Sequence, residues 1–305
     1  PDVISGFGII RGAITGGGTV TPTGDVEISE PLAVDSDEVT LLTQQNPWVD
    51  DDIVLAGGML RSTDPVAALQ HRTGATLRGF GTVAVPYSGF VGAAVSLTGD
   101  MTIGDAAHND GVHLRGTLNV DSHALTLLDA DAALLGHTTT LSGGTIIAAK
   151  GVALDGGDVV SGHGVIRGSV SGAGTFNPTD SLTFSGETFS AGGGDVTLVG
   201  TSVVASGSQI GINGGAIFTS GAPLELVQGS RLEGSGTVNS SVFSDAQSVV
   251  NPLNDGLTLG AADLSSTIGL EGDVTVGFAF DIPGTGAFLT NSKLVLRSAG
   301  QAQLR

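Results

Sequence analysis

Cysteine is absent from this sequence, and with it every disulfide framework and every thiolate nucleophile or metal ligand. That absence is compatible with any compartment. Lysine is nearly absent too: Lys150 and Lys293 are the only two, and eleven basic residues stand against thirty acidic ones, for a formal charge of −19. A surface of that sign repels phosphate backbones and anionic lipid headgroups, so no nucleic-acid partner is expected. Aromatic residues make up 4%, with Trp48 and Tyr87 the only large amphipathic ones, which makes a sugar-stacking platform hard to build. No run approaches the ~18 apolar residues that a membrane helix needs, so no membrane span is expected, and the first residues lack the basic-then-apolar order of an export signal. The first residue is Pro1, as expected of a processed protein or an excised segment rather than of an intact translation product. Helical patterning is missing as well, since no long segment repeats apolar residues at i, i+3, i+4 and i+7 between capping signals.

What is present is glycine, fifty of them, with 40% hydrophobic residues drawn mostly from Val, Ile, Leu and Ala. Positive mean hydropathy argues against intrinsic disorder. Short runs such as Val26–Ile28, Val39–Leu42, Ile53–Leu55, Val95–Leu97, Met101–Ile103, Thr117–Val120, Ala124–Leu128 and Val196–Val199 read as strands, separated by Gly, Asn, Asp or Ser. One pattern returns four times: Ile4-Ser-Gly-Phe-Gly-Ile-Ile10, Leu77-Arg-Gly-Phe-Gly-Thr-Val83, Val160-Ser-Gly-His-Gly-Val-Ile166 and Leu232-Glu-Gly-Ser-Gly-Thr-Val238. Residues 2–29 and 158–185 align without a gap at an offset of 156, sharing Gly6/Gly162, Gly8/Gly164, Arg11/Arg167, Gly16/Gly172 and Pro22/Pro178 among others. Asn177-Pro178 returns as Asn251-Pro252. The chain therefore reads as four related modules, approximately 1–75, 76–157, 158–230 and 231–305.

Dense short strands could build a sandwich, a propeller or a solenoid. Three features favour the solenoid: two-residue hairpin turns are scarce (Asp110-Gly111, Asn213-Gly214 and Asp255-Gly256 are the candidates), the apolar side chains suit a narrow stacked coil, and the motif spacing fits coils of ~20–25 residues. The fold class expected is all-β, a right-handed parallel β-helix of ~12–15 coils, or ~60–70 Å at the ~4.8 Å strand spacing. The motif glycines Gly6, Gly8, Gly79, Gly81, Gly162, Gly164, Gly234 and Gly236 are expected at corners that require positive φ or close backbone approach. Pro22, Pro178 and Pro252 belong in corners or bulges, because proline cannot donate to a ladder. Residues 30–75 concentrate charge and the only Trp, and are expected to leave the coil as an irregular acidic excursion.

The order Gly-x-Gly-Thr-Val, Asn-Pro, Leu-Thr-Leu, clearest at 234–259 and looser at 162–184, resembles the β-helical passenger repeats of bacterial autotransporters and related secreted adhesins. The resemblance covers about half the chain, mainly 2–29, 77–103, 158–189 and 232–282. It implies an extracellular or cell-surface solenoid; neither a membrane barrel nor a protease module accompanies it.

Few constellations suggest chemistry. Asp50-Asp51-Asp52 supplies carboxylates for calcium ligation or glycoside hydrolysis, but neighbours in a strand point to opposite faces, so a solvated acidic loop is the plainer reading. Gly162-His163-Gly164 resembles an element of β-helical polygalacturonases, yet the other copies hold Phe7, Phe80 and Ser235 at the His position, which favours a corner over a catalytic imidazole. His108, His113, His123 and His137 are spaced by 5, 10 and 14 residues, which match no single period, so scattered surface imidazoles are expected rather than a zinc site. Ala191-Gly-Gly-Gly-Asp195 is one copy of a calcium-roll pattern that acts only in tandem. Gly207-Ser-Gln-Ile-Gly211 lacks the strand-to-helix setting of a nucleophile elbow. The expectation is a non-enzymatic extracellular scaffold or adhesin, without a resident cofactor, self-associating end to end into a filament or surface layer and touching host, cell-surface or matrix material. A polysaccharide lyase or hydrolase and a calcium-stabilised adhesion module are the alternatives.

Overall fold

The structure is a computed structural model that describes residues 2–41, 47–62, 68–106, 111–168, 170–185, 188–190, 195–199, 202–206, 209–220, 223–245, 247–264, 267–268, 274–276, 280–282, 294–296 and 303–304. It is all-β, 72% strand with no helix, and its stacked parallel strands form a β-solenoid of about 8 turns. The chain divides into two compact units, 1–153 and 154–305.

In the first unit one ladder runs through the strands Asp2–Ile10, Gly18–Ile28, Glu38–Leu41, Ile53–Ser62, Thr76–Ala84, Ala94–Gly104, Ala124–Leu128 and Thr138–Ala148, each parallel to the next. Along this ladder the advance per turn varies from 16 residues (Asp2 to Gly18) to 24 (Ile103 to Leu127). The structure has about 8 turns, fewer than the ~12–15 coils expected. Alternation dictates what each strand does with its side chains. Val39, Leu60, Val83, Ile103, Leu127 and Ala148 stack in register on the inside, and none is more than 2% exposed. A second inner row stacks Leu32, Ile53, Leu77, Val95 and Leu118. A third passes through Leu69, Tyr87 and Val112, beside Val49, His71 and Gly89. A buried Leu or Ile contributes roughly 1.5–3 kcal/mol, and because each touches its equivalents above and below, the interior is one continuous apolar stack.

The second unit repeats the three rows. Val196, Ile217, Val238 and Leu259 follow one another in register, as do Ile210, Leu232 and Val250, and Leu182, Val203, Leu224 and Val242. Every described pairing is parallel, so the hairpin candidates Asn213-Gly214 and Asp255-Gly256 lie within strands; Asp110 lies outside the described residues.

All eight motif glycines take positive φ, between 98° at Gly162 and 150° at Gly164. They sit where the ladder slips register: the shift falls between Gly6 and Gly8 in the first copy and between Gly234 and Gly236 in the fourth. Pro22 and Pro252 are the partners of Gly6 and Gly234 at those slips, where a missing N–H breaks no ladder. A Cβ on Gly79 would lie 1.8 Å from the Leu55 carbonyl oxygen, and one on Gly234 would lie 2.0 Å from that of Ile212. Glycine is required there twice over, for φ and for the carbonyl of the preceding coil.

Residues 30–75 correct the expectation of an excursion. The strands Leu32–Val34, Glu38–Leu41, Trp48–Val49, Ile53–Ser62 and Leu69–His71 lie in that stretch and keep parallel register with their neighbours. Acidic side chains occupy the outward positions while Leu32, Val34, Val39, Val49, Ile53 and Leu55 fill the inside, at most 2% exposed. The charge decorates the coil without breaking it. Residues 42–46 and 63–67 lie outside the described set.

Candidate functional site

The densest gathering of polar and aromatic side chains is built from three successive coils in the first unit. Val49, His71 and Gly89 are in register, so the residues after them, Asp50, Arg72 and Phe90, follow as neighbours at one corner. There Asp50 N–H donates to Ile28 O, Arg72 N–H to Val49 O and Phe90 N–H to His71 O.

The aspartate triple diverges at this corner. Asp50 Oδ1 lies 2.7 Å from Arg72 Nε, and the same guanidinium reaches toward Glu27 at 3.9 Å. Asp51 accepts the Asp52 N–H on its side chain at 2.7 Å. Asp52 accepts the Thr76 N–H of the next coil at 2.9 Å, with Arg78 at 3.8 Å from its other oxygen. Each carboxylate thus has its own partner, and two of the three reach up to the next coil. Among the described residues no three His, Asp or Glu side chains gather into a group able to hold a metal ion.

Trp48 stands on the outer side of the same corner. Its ring stacks on Phe90 at 5.6 Å between centroids, and the Arg72 guanidinium lies 4.6 Å from its centre. The aromatic surface is therefore engaged by the protein's own side chains, an arrangement that joins three coils through one stacked column.

Behind this corner lies a pair that the sequence reading missed. His71 and Tyr87 are both fully buried, and His71 Nδ1 lies 2.7 Å from the Tyr87 hydroxyl while Nε2 lies 3.1 Å from the Asp51 carbonyl oxygen. A carbonyl can only accept, so the proton resides on Nε2, and Nδ1 accepts from the phenol. Burial lowers the His71 pKa from its ordinary 6.5, opposed by the Asp51 carbonyl and the charges of Asp52 and Asp51. Burial likewise pushes the Tyr87 phenol upward. Both groups are neutral, satisfied and shielded from solvent, which suits them to holding coils together rather than to moving a substrate's proton. No fixed spacing in the sequence marks the pair, since His71 and Tyr87 are 16 residues apart and their coils are in register through Leu69 with Tyr87 and His71 with Gly89.

Carboxylates also bridge coils elsewhere. Asp100 accepts the Ala124 N–H at 2.8 Å. Asp129 accepts Val112 N–H at 2.6 Å with one oxygen and Asp131 N–H at 3.0 Å with the other. Asp245 does the same for Gln228 N–H at 2.7 Å and Gln247 N–H at 3.0 Å, and adds the Ser248 N–H and hydroxyl. The bond from Ser248 Oγ, with smaller help from these N–H groups, holds the Asp245 carboxyl below its ordinary pKa of 3.8 against a small desolvation effect. Much of the acidic composition thus serves as corner caps for backbone N–H groups that the turning chain would otherwise leave unpaired.

The other sequence candidates are dispersed. His113 lies in the strand Val112–Leu114, His123 in a turn whose carbonyl accepts Thr145 N–H, and His137 immediately before the strand Thr138–Ala148. His163 stands between Gly162 and Gly164 in the third corner. His108, residues 191–194 of the calcium-roll pattern and residues 207–208 of the serine element lie outside the described residues. Comparison with protein families, with curated proteins and with solved structures finds no match for this chain.

Proposed function

We propose that this chain is an extracellular structural or adhesive β-solenoid that presents an extended surface and self-associates end to end into a filament or surface layer. The observation that carries this reading is the use made of its reactive side chains. Asp50, Asp52, Asp100, Asp129 and Asp245 reach a neighbouring coil's backbone or arginine, and His71 and Tyr87 satisfy each other inside the core. A scaffold needs coil-to-coil bonds of this kind; an active site needs the same groups convergent and free to meet a substrate. The extracellular part of the reading draws on the autotransporter passengers that the glycine motif resembles.

Negative-stain electron microscopy together with sedimentation velocity tests the reading. Elongated assemblies that lengthen with protein concentration are expected. Monomers alone at all accessible concentrations would remove the self-association, and turnover of acidic or neutral glycans, abolished by Asp50→Asn or Asp52→Asn, would replace the scaffold by an enzyme. A melting temperature raised by calcium and lowered by chelator would instead favour a calcium-stabilised adhesion module.

A further inference from the structure

Among the described histidines only His71 is buried, and its ring bonds to the coil before it and the coil after it. Nε2–H donates to the Asp51 carbonyl of the preceding coil, and Nδ1 accepts from the Tyr87 hydroxyl of the following one. The fold makes room for this contact. Tyr87 is in register with Leu69, so its ring reaches the imidazole across Gly89, the residue in register with His71. A Cβ on Gly89 would lie 3.2 Å from the Tyr87 ring and 3.5 Å from its hydroxyl oxygen, although the φ of Gly89 is not positive. What glycine supplies there is space for the phenol. The main chain beside the pair carries the acidic corner: His71 O accepts Phe90 N–H, Val49 O accepts Arg72 N–H, and Ile28 O accepts Asp50 N–H. The Asp50–Arg72 ion pair and the Trp48–Phe90 stack stand on it.

The groups around the ring set what a proton does. From the preceding coil the Asp51 and Asp52 carboxylates attract it, from the following coil Tyr87 is neutral, and on the same coil Arg72 is held outward by Asp50 with Glu27 at 3.9 Å. Burial, the largest influence, still holds the His71 pKa below its ordinary 6.5. A protonated ring has two donors and no acceptor. Nε2–H keeps the Asp51 carbonyl, but Nδ1–H then faces a hydroxyl that must turn its own hydrogen toward the apolar row of Leu69 and Val112. A buried cation and a buried donor without an acceptor are both unfavourable.

We propose that His71 and Tyr87 form an acid-released latch: on protonation the imidazole leaves the interior toward the Asp51 and Asp52 carboxylates, and the corner formed by Trp48–Asp52, Arg72 and Phe90 loosens while the flanking ladder stays wound. The latch goes beyond the scaffold reading and operates whether or not copies of the chain assemble. The open corner takes up its proton at the ordinary value, so opening grows by up to about tenfold per pH unit between 6.5 and the lower closed-state value.

Backbone hydrogen exchange of the full chain at about pH 7.5 and about pH 5, corrected for intrinsic rates, tests the latch. Protection of the Asp50, Arg72 and Phe90 N–H groups is expected to fall about tenfold or more in acid, with the strands Thr76–Ala84 and Ala94–Gly104 keeping theirs. His71→Gln offers the Asp51 carbonyl a donor and Tyr87 an acceptor with no proton to gain, and its corner protection is expected to stay constant across that range. NMR titration of the His71 ring in wild type answers the same question should His71→Gln fold poorly: an apparent pKa below 6.5, with the corner N–H groups losing protection in the same titration, supports the latch. An equal fall in His71→Gln, or a His71 ring that gains its proton with the corner still protected, would overturn it. Loss of protection spread evenly over the first unit would replace it by ordinary acid unfolding.

Discussion

The two units wind the same coil but fill it differently. In the first, the buried row beside the acidic corner holds His71 and Tyr87, joined by a hydrogen bond of 2.7 Å. In the second, the buried aromatic pair is Phe176 and Phe184, edge to face at 5.3 Å between centroids. The corner architecture is common to both, with a glycine pressed under the preceding coil's carbonyl at Gly79 and again at Gly234. What the units share is set by backbone geometry. What separates them is side-chain chemistry that the same backbone tolerates, and only the first unit places an ionisable ring in its interior.

The largest effects should therefore be equal in the two units. Gly79→Ala and Gly234→Ala each drive a Cβ into a backbone carbonyl and strain φ besides; neither a rotamer change nor a small shift relieves this. Each is expected to cost about 4 kcal/mol or more, at the severe end for single substitutions. Hydrogen exchange resolved by unit should show the loss confined to the coils around the substituted residue. Gly6→Ala meets no such carbonyl and should cost only the φ strain, roughly 1–3 kcal/mol. Equal losses at Gly6 and Gly79 would mean that φ alone, and not the overlying coil, demands glycine.

Next come the buried aromatics, where the units should part. Phe176→Ala removes a ring and leaves a cavity, at a cost of about 3–5 kcal/mol. Tyr87→Phe keeps the ring and removes one hydroxyl, leaving His71 Nδ1 without its donor, at a cost of roughly 1–3 kcal/mol. Trp48, the sole tryptophan, stands two coils from Phe90 in the first unit and reports that unit's denaturation by its fluorescence.

The shared part was legible in the sequence and the differing part was not, for a physical reason. A corner that needs positive φ favours glycine, so it repeats visibly at Gly6, Gly79, Gly162 and Gly234, and at Gly79 and Gly234 the overlying carbonyl adds a second demand. The interior also announces itself, because Val, Ile and Leu alternate with outward residues. Side-chain partnerships lie one or two coils apart, and the coil length drifts from 16 residues (Asp2 to Gly18) to 25 (Tyr87 to Val112), so no fixed spacing marks His71 with Tyr87 or Trp48 with Phe90. The acidic stretch 30–75 misled for a related reason: charge on outward positions looks like a loop when the inward residues between them, Leu32, Val34 and Val39, are few per strand. Alternation along a strand already argues against convergence of Asp50, Asp51 and Asp52, but their partners one coil on, Arg72 for Asp50 and Thr76 for Asp52, leave no mark in the sequence.

Acid should separate the units further. His71 has its pKa lowered by burial from an ordinary 6.5, so the folded state binds its proton less readily than the unfolded chain does. The neutral imidazole's full stability is present above pH 6.5 and is lost progressively as pH falls from there toward the folded-state pKa. Protonation also turns Nδ1 into a donor facing a hydroxyl that must then reverse its bond. Urea denaturation followed by Trp48 fluorescence is expected to show a midpoint that drops between pH 7.5 and 5 in wild type and drops less in His71→Phe. An identical pH slope in the variant would place the acid sensitivity elsewhere.

The smallest expected difference concerns the corner caps, which share the same two backbone bonds in both units, Asp245 adding the Ser248 N–H and hydroxyl, yet sit in different surroundings. Asp129 is 6% exposed and holds the N–H groups of Val112 and Asp131, so Asp129→Ala leaves buried donors without acceptors, at a cost of about 1–3 kcal/mol. Asp245 holds the corresponding Gln228 and Gln247 N–H groups in a more open corner, where water can replace the carboxylate, so Asp245→Ala should cost less than Asp129→Ala. The charge adds a pH signature of the same sense as that of His71, in a more acidic range. Asp245 is held below its ordinary 3.8, first by Ser248 Oγ, so its contribution is complete above pH 3.8 and disappears only as pH falls through the lowered folded-state value. Melting curves at pH 7 should rank Asp129→Ala below Asp245→Ala in stability. The gap between Asp245→Ala and wild type should narrow only as pH falls below 3.8, while the gap for His71→Phe changes as pH falls below 6.5; a ranking reversed at neutral pH would mean that the pattern of bonds, and not solvent access, distinguishes one corner from the other.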